Sequence, residues 1–192
     1  MKRIFIKRKT KETEIEIKLS VDGKGKYRID IPVPFLRHML ELFSFHSGLD
    51  IKLKAKGDID VDYHHITEDI GIVLGKVINK IVKERRGIKR FSSIFLPMDE
   101  ALILVALDVS GRSYLNFDVK FLKNKSESFD FNLIEDFFNA VVNEARITLH
   151  IRKERGRSNH HIAEAIFKGF AVCIKDALKI ERKGVSSTKG KL

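Results

Sequence analysis

The stretch "YHHITEDIGIVLGKVINKI", residues 63–81, opens with two histidines, an isoleucine, one spacer and a glutamate. The same signature returns in "NHHIAEAIFKGFAVCIKDA", residues 159–177. Four of the seven histidines sit in these two copies, 96 positions apart (160 − 64) in a chain of 192 residues. Behind each signature the apolar residues recur at helical spacing, as in Ile70, Val73, Leu74, Val77, Ile78 and Ile81. Two equivalent helices in two halves point to an internal duplication, which would decide the whole fold.

Working outward, both halves give the same order of elements. The first has alternating strands in "RIFIKRK", "TEIEIKLS" and "KYRIDI", the last two separated by the turn "DGKG". A helix follows in "PFLRHMLELFSFHSG", with Pro34 at its first position and Gly48 as its stop. The strand "LDIKLKA" and the helix from about His64 to Glu84 complete the half. In the second half, strands are expected in "RFSSIFL", "ALILVALDVS" and "SYLNFDVKF". The helix "NLIEDFFNAVVNEARI", a short strand "TLHI" and the helix from about His160 to Leu178 follow. The expected fold is α+β: two β-β-β-α-β-α units, each a sheet with helices on one face. The units are set at residues 1–87 and 88–184, packed as one body, with a tail at 185–192. The competing reading is one unrepeated α+β domain in which the doubled motif is a coincidence.

Composition narrows the function. The chain is 43% hydrophobic, large enough for a sizeable core, and no apolar run reaches the roughly 18 residues of a membrane span. The start, "MKRIFIKRKTKE", lacks the apolar core of a signal peptide. Cys173 is the only cysteine, so no disulfide framework exists, and it reads as a buried inert thiol in a reducing cytoplasm. The net charge of +11 admits a Lys-rich surface, nucleic acid or an anionic small molecule as its reason. Abundant Lys and Glu without Gln or Trp also fit a thermophile surface.

On a helix, residues i and i+4 share a face while i and i+1 diverge by about 100°. His64 with Glu68, and His160 with Glu164, can therefore each hold a metal ion. His65 and His161 point elsewhere and could reach the other half's ion across a pseudo-two-fold axis. Aligning the preceding helices sets His38 over Asp136, which supplies a fourth ligand to each set. The sets are then His64, Glu68, His161 and Asp136, and His160, Glu164, His65 and His38. Imidazole and carboxylate without thiolate suit Mn²⁺, Fe²⁺ or Zn²⁺, and Mn²⁺ leaves octahedral positions for substrate.

With "RKTKET", "FLRHML", "GDIDVDYHHITEDIGIVLG", "IKRF", "PMDEALILVALDVSGR", "NHHIAEAIFKGFA" and "SSTKG" in this order, the chain resembles the imidazoleglycerol-phosphate dehydratase family over nearly its whole length. The resemblance implies a duplicated fold of the ribosomal protein S5 domain 2-like kind and two Mn²⁺ per active site. It also implies a 24-subunit assembly built from trimers, with sites at subunit interfaces. The implied reaction removes water from D-erythro-1-(imidazol-4-yl)glycerol 3-phosphate, giving 3-(imidazol-4-yl)-2-oxopropyl phosphate in histidine biosynthesis. Because the proton lost is not beside a carbonyl, electrons must come from the imidazole ring, whose imidazolate form can expel the neighbouring hydroxyl. The resemblance makes Glu12 the candidate for proton transfer, with Glu68 and Glu164 joining it as catalytic through the metals they hold. It assigns substrate contacts to His38 and His46, and phosphate contacts to Arg90, Arg112, Ser187 and Lys189, residue types suited to a phosphate dianion. His150 reads as a packed or supporting residue.

Three departures fall near the chemistry. Arg37 stands where the family usually has Asp before the ligand histidine, Leu42 where Gln is usual, and Asp136 where a histidine is expected. They leave open a homologue with weakened activity or altered substrate. Two rivals remain from other classes: a basic nucleic-acid-binding α/β protein, and a metal-dependent hydrolase using the same ligands.

Overall fold

In "TEIEIKLS" every second side chain is apolar, so one face of the strand can be buried while Glu14, Glu16 and Lys18 stay in water. The computed structural model describes residues 3–84, 87–122, 129–181 and 184, and most of its strands follow this alternation. Strands β1 (Arg3–Lys9), β2 (Thr13–Ser20) and β3 (Tyr27–Asp30), helix α1 (Pro34–Ser47), strand β4 (Asp50–Gly57) and helix α2 (His64–Glu84) make the first unit. Strands β5 (Phe91–Met98), β6 (Ala101–Asp108) and β7 (Tyr114–Asp118), helix α3 (Leu133–Ala145), strand β8 (Thr148–Arg155) and helix α4 (Asn159–Ala177) make the second. The order is β-β-β-α-β-α twice, which disposes of the unrepeated alternative.

Each unit has one four-stranded mixed sheet, ordered β1-β2-β4-β3 and β5-β6-β8-β7. The parallel pairs, β3 with β4 and β7 with β8, are joined through α1 and α3, since a parallel connection needs a crossover. Helix α1 starts with Pro34 in its first turn, where a missing N–H costs nothing, and ends at Gly48 with φ of 75°. Strand β8 is longer than "TLHI" suggested. Its last residues, Arg152–Arg155, are mostly exposed, so charge there does not end the strand while its backbone pairs with β6.

The helices lie between the two sheets. Each backs its own sheet and meets a helix of the other unit, α2 on α3 and α1 on α4. Gly71 and Gly75 let α2 approach α3 closely: a Cβ on either would come within 2.6 Å of a backbone oxygen of α3. Phe43, Phe137, Phe138, Phe167 and Phe170 fill the space between the helices. Cys173 is fully buried on the sheet side of α4, its thiol toward the Val105 carbonyl of β6, and burial pushes it up to about 11, as an inert core group requires. Among the described residues, no helix is long and apolar enough to cross a membrane.

Candidate metal and substrate site

Helices α1 and α4 lie side by side, so a residue early on α1 can face the start of α4. His38 Nε2 and His160 Nε2 both reach Glu164 Oε1, at 3.2 and 2.9 Å. Their ligand atoms lie within 4.8 Å of one another, a spacing that a single cation can bridge. His160 is oriented by the edge of Phe35, whose ring packs in turn on Phe129 and Phe131. Glu164 is buried and Lys168 donates to its Oε2. Burial alone would raise this carboxyl, but the hydrogen bonds from Lys168, His38 and His160 outweigh it and hold the group at about 2. It is thus a committed anion between two imidazoles, the donor set of a divalent cation site.

The pseudo-equivalent cluster lies where α2 crosses α3. His64 Nε2 is 3.8 Å from Glu68 Oε2, and His64 Nδ1 is 3.5 Å from Asp136 Oδ2. This set is looser and more exposed than the first. His38 and Asp136 thus occupy matching places beside His160 and His64. Among the described residues, only the His38, His160 and Glu164 group closes to within bridging distance.

The second histidine of each pair turns the other way. His65 Nδ1 lies 3.8 Å from Glu12, and His161 Nδ1 lies 2.7 Å from Glu100. Glu100 also accepts the backbone N–H groups of Arg157 and Ser158. The His161 hydrogen bond, followed by these backbone bonds, lowers its carboxyl to about 2, and Glu100 in turn raises His161. The structure therefore brings neither His65 nor His161 into the other half's cluster within one chain. Glu12 and Glu100 each stand one residue before the second strand of their unit, so the repeat relates them too. The sequence reading missed Glu100, its neighbour Asp99 and Lys168. Repeat register over "PMDEA" would have set Glu100 opposite Glu12.

Glu12 is presented by a braced turn. The Thr10 hydroxyl accepts the N–H groups of Glu12 and Thr13, and Thr13 donates to the buried Asp69 on α2, which also binds Arg8 at 2.5 Å. His46 is half-buried further along α1; burial first and then the Lys168 charge push its pKa down. Arg37 is exposed beside His38, and Leu42 packs against the core.

The expected phosphate contacts lie elsewhere. Arg90 pairs through two bonds with Asp108, at 2.7 and 3.1 Å, and its guanidinium lies 4.6 Å from the Phe91 ring centre. Its φ of 80° is unusual for a non-glycine residue, and the strained backbone is pinned by bonds from its N–H to Ala177 and from Val109 to its carbonyl. Exposed Arg112 follows Ser110 just beyond the same strand. Glu100 and Asp108 bracket β6, which spans about 24 Å at about 3.4 Å per residue. Helix α4 gives about 26 Å between His160 and Ala177 at 1.5 Å per residue. The His38–His160–Glu164 cluster and Arg90 are thus at opposite ends of the second unit. His150 lies on the outward face of β8, its ring 5.5 Å from Tyr114. Ser187 and Lys189 lie outside the described residues.

Residues 31–174 match the family model for imidazoleglycerol-phosphate dehydratase. The chain belongs to the imidazoleglycerol-phosphate dehydratase family. It is 50% identical to the imidazoleglycerol-phosphate dehydratase of Thermodesulfovibrio yellowstonii over 190 residues, covering 99% of each chain. To that of Caldicellulosiruptor saccharolyticus it is 49% identical over 187 residues, covering 97% of this chain and 96% of the relative. The crystal structure of the Staphylococcus aureus dehydratase superposes with a TM-score of 0.86 at 41% identity, covering 94% of this chain and all of that one. The Pyrococcus furiosus dehydratase, solved in complex with (S)-C348, gives 0.84 at 39% identity, covering 97% and all. Family membership selects among the rivals read from the sequence: the paired histidine clusters belong to a dehydratase rather than to a nucleic-acid-binding domain.

Proposed function

We propose that this chain is the hydro-lyase of histidine biosynthesis that converts D-erythro-1-(imidazol-4-yl)glycerol 3-phosphate to 3-(imidazol-4-yl)-2-oxopropyl phosphate. The observation that carries the reading is the pair of repeat-related clusters, His38–His160–Glu164 and His64–Glu68–Asp136, in a chain of this family. Their oxygen and nitrogen donors fit two Mn²⁺, one per cluster, with His65 and His161 as further ligands. Bound there, the metals supply Lewis acidity toward the imidazole nitrogens and a substrate hydroxyl. Glu12, on its braced turn, accepts the proton from the carbon next to the phosphate-bearing one. The hydroxyl on the carbon beside the ring leaves with a proton as water, and the resulting enol becomes the ketone. Asp136 is a competent oxygen ligand in place of a second histidine, so the cluster keeps its donor count.

Arg90 and Arg112 serve the phosphate from a neighbouring subunit, because one chain holds them roughly 25 Å from the histidines. His65 and His161 face away from their own clusters in the same sense and serve a neighbour's metals. Self-association is also favoured by the outward face of the second sheet, where Phe91, Phe95 and Tyr114 are each more than half exposed. A closed assembly of 24 chains built from trimers satisfies these demands by symmetry.

The test is to load the purified protein with Mn²⁺, supply the imidazole glycerol phosphate, and measure both ketone and inorganic phosphate. Ketone without phosphate release is expected; phosphate release alone would make the protein a hydrolase. Glu164→Gln is expected to lower Mn²⁺ from about two to about one per chain and kcat/KM by about 100-fold or more. Unchanged metal content would remove Glu164 from the ligand set.

A further inference from the structure

The twist of each four-stranded sheet leaves a hollow on its outward face, about 590 Å³ in the first sheet and about 540 Å³ in the second. The two are equivalent under the repeat. Phe5, Lys18, Lys52 and Arg28 form one row across the first sheet, and pairing register sets Ser93, Ala106, His150 and Asn116 in the same row of the second. The backbone hollow is therefore what this sheet makes anyway, and only the lining distinguishes the two.

The lining of the first hollow is cationic. Arg3, Lys18, Lys26, Arg28 and Lys52 all border it and all are exposed. None of them forms an ion pair among the described residues, whereas Lys7 and Lys9, further along β1, are matched by Glu14 and Glu16. The one carboxylate in the lining is Asp50. Its Oδ1 accepts the backbone N–H groups of Lys24 and Lys26, both at 2.8 Å, so it is engaged by the β2–β3 turn. Five like charges gathered around one hollow repel one another, which an anion relieves. Two aromatic rings border the same hollow, Phe5 at 51% and Tyr27 at 49% exposure, and Lys18 Nζ lies 5.5 Å from the Phe5 ring centre. Exposed rings beside cations are what a planar base with phosphates requires: the ring stacks and the cations neutralise. The volume falls within the range of small-molecule sites, about 300–1,000 Å³.

We propose that the outward hollow of the first sheet binds a nucleoside polyphosphate, with the base on Phe5 and the phosphates over Lys18, Lys52 and Arg28. The site is separate from the histidine clusters, and the proposal does not depend on the dehydratase reading.

Calorimetric titration of the Mn²⁺-loaded protein with ATP, and separately with inorganic triphosphate, tests it. ATP is expected to saturate at one site per chain and to weaken at least tenfold between about 50 and 300 mM salt. Lys18→Glu combined with Lys52→Glu is expected to weaken ATP at least thirtyfold while Mn²⁺ content and dehydratase turnover stay unchanged. Phe5→Ala is expected to weaken ATP about tenfold and to leave triphosphate unaffected, which separates stacking from charge. Lack of saturable ATP binding, or equal binding by the charge-reversed variant, would overturn the proposal. Tighter binding of a single-stranded oligoribonucleotide than of ATP would overturn the mononucleotide assignment.

Discussion

Asp69 shows how one residue can hold a site it does not touch. It is buried on α2, accepts from Arg8 and from the Thr13 hydroxyl, and so anchors the turn that presents Glu12. Replacing it by Ala leaves the Arg8 guanidinium and the Thr13 hydroxyl without their partner. Asp69→Ala is expected to cost about 3 kcal/mol or more, read as a lower urea midpoint. Asp176 is a different case. Its carboxylate binds Lys89 at 2.6 Å, Lys179 at 2.9 Å and Ser92 at 2.9 Å, and these bonds, Lys89 first, lower it from 3.8 to about 2. A carboxyl depressed in the folded state stabilises above its unfolded pKa and loses that stabilisation as pH falls through the folded one. Asp176→Asn should therefore flatten the loss of stability between about pH 4 and 2, followed by thermal melts, and leave its slope above pH 5 unchanged.

At the scale of elements, the α2–α3 crossing is the most closely fitted contact. Gly71 and Gly75 face backbone oxygens of Phe137 and Val141, so an added methyl has nowhere to go without moving a helix. Gly71→Ala is expected to lose about 1–3 kcal/mol in chemical denaturation. Because this crossing also sets His64 against Asp136, the same variant should weaken metal binding at that cluster more than at His38–His160–Glu164. Equal losses at both would show that the crossing does not position the ligands. The elements were readable from sequence because amphipathic periods of 2 and 3.6 carry through most segments, and Pro34 and Gly48 punctuate α1. The extension of β8 over Arg152–Arg155 was not, since pairing with β6 needs only backbone groups.

For the whole molecule, the separation of Arg90 from the histidines predicts complementation. A chain with Glu164→Ala and a chain with Arg90→Ala should each be nearly inactive. Assembled together from dissociated subunits, they should recover up to about a quarter of wild-type turnover, since random mixing restores that share of sites built from two different chains. No recovery would mean that one chain supplies both groups. The sequence by itself determined the doubled fold, the helices that carry the histidines and the pairing of His64 with Glu68 and of His160 with Glu164, because local periodicity and i,i+4 spacing suffice for these. Aligning the two halves also set His38 with His160 and Glu164, as the structure has it, whereas only the tertiary structure decided that His65 turns to Glu12, that His161 turns to Glu100, and that Arg90 lies at the far end of β6. Those placements depend on how two sheets and four helices pack across the repeat, a long-range matter that no local pattern encodes.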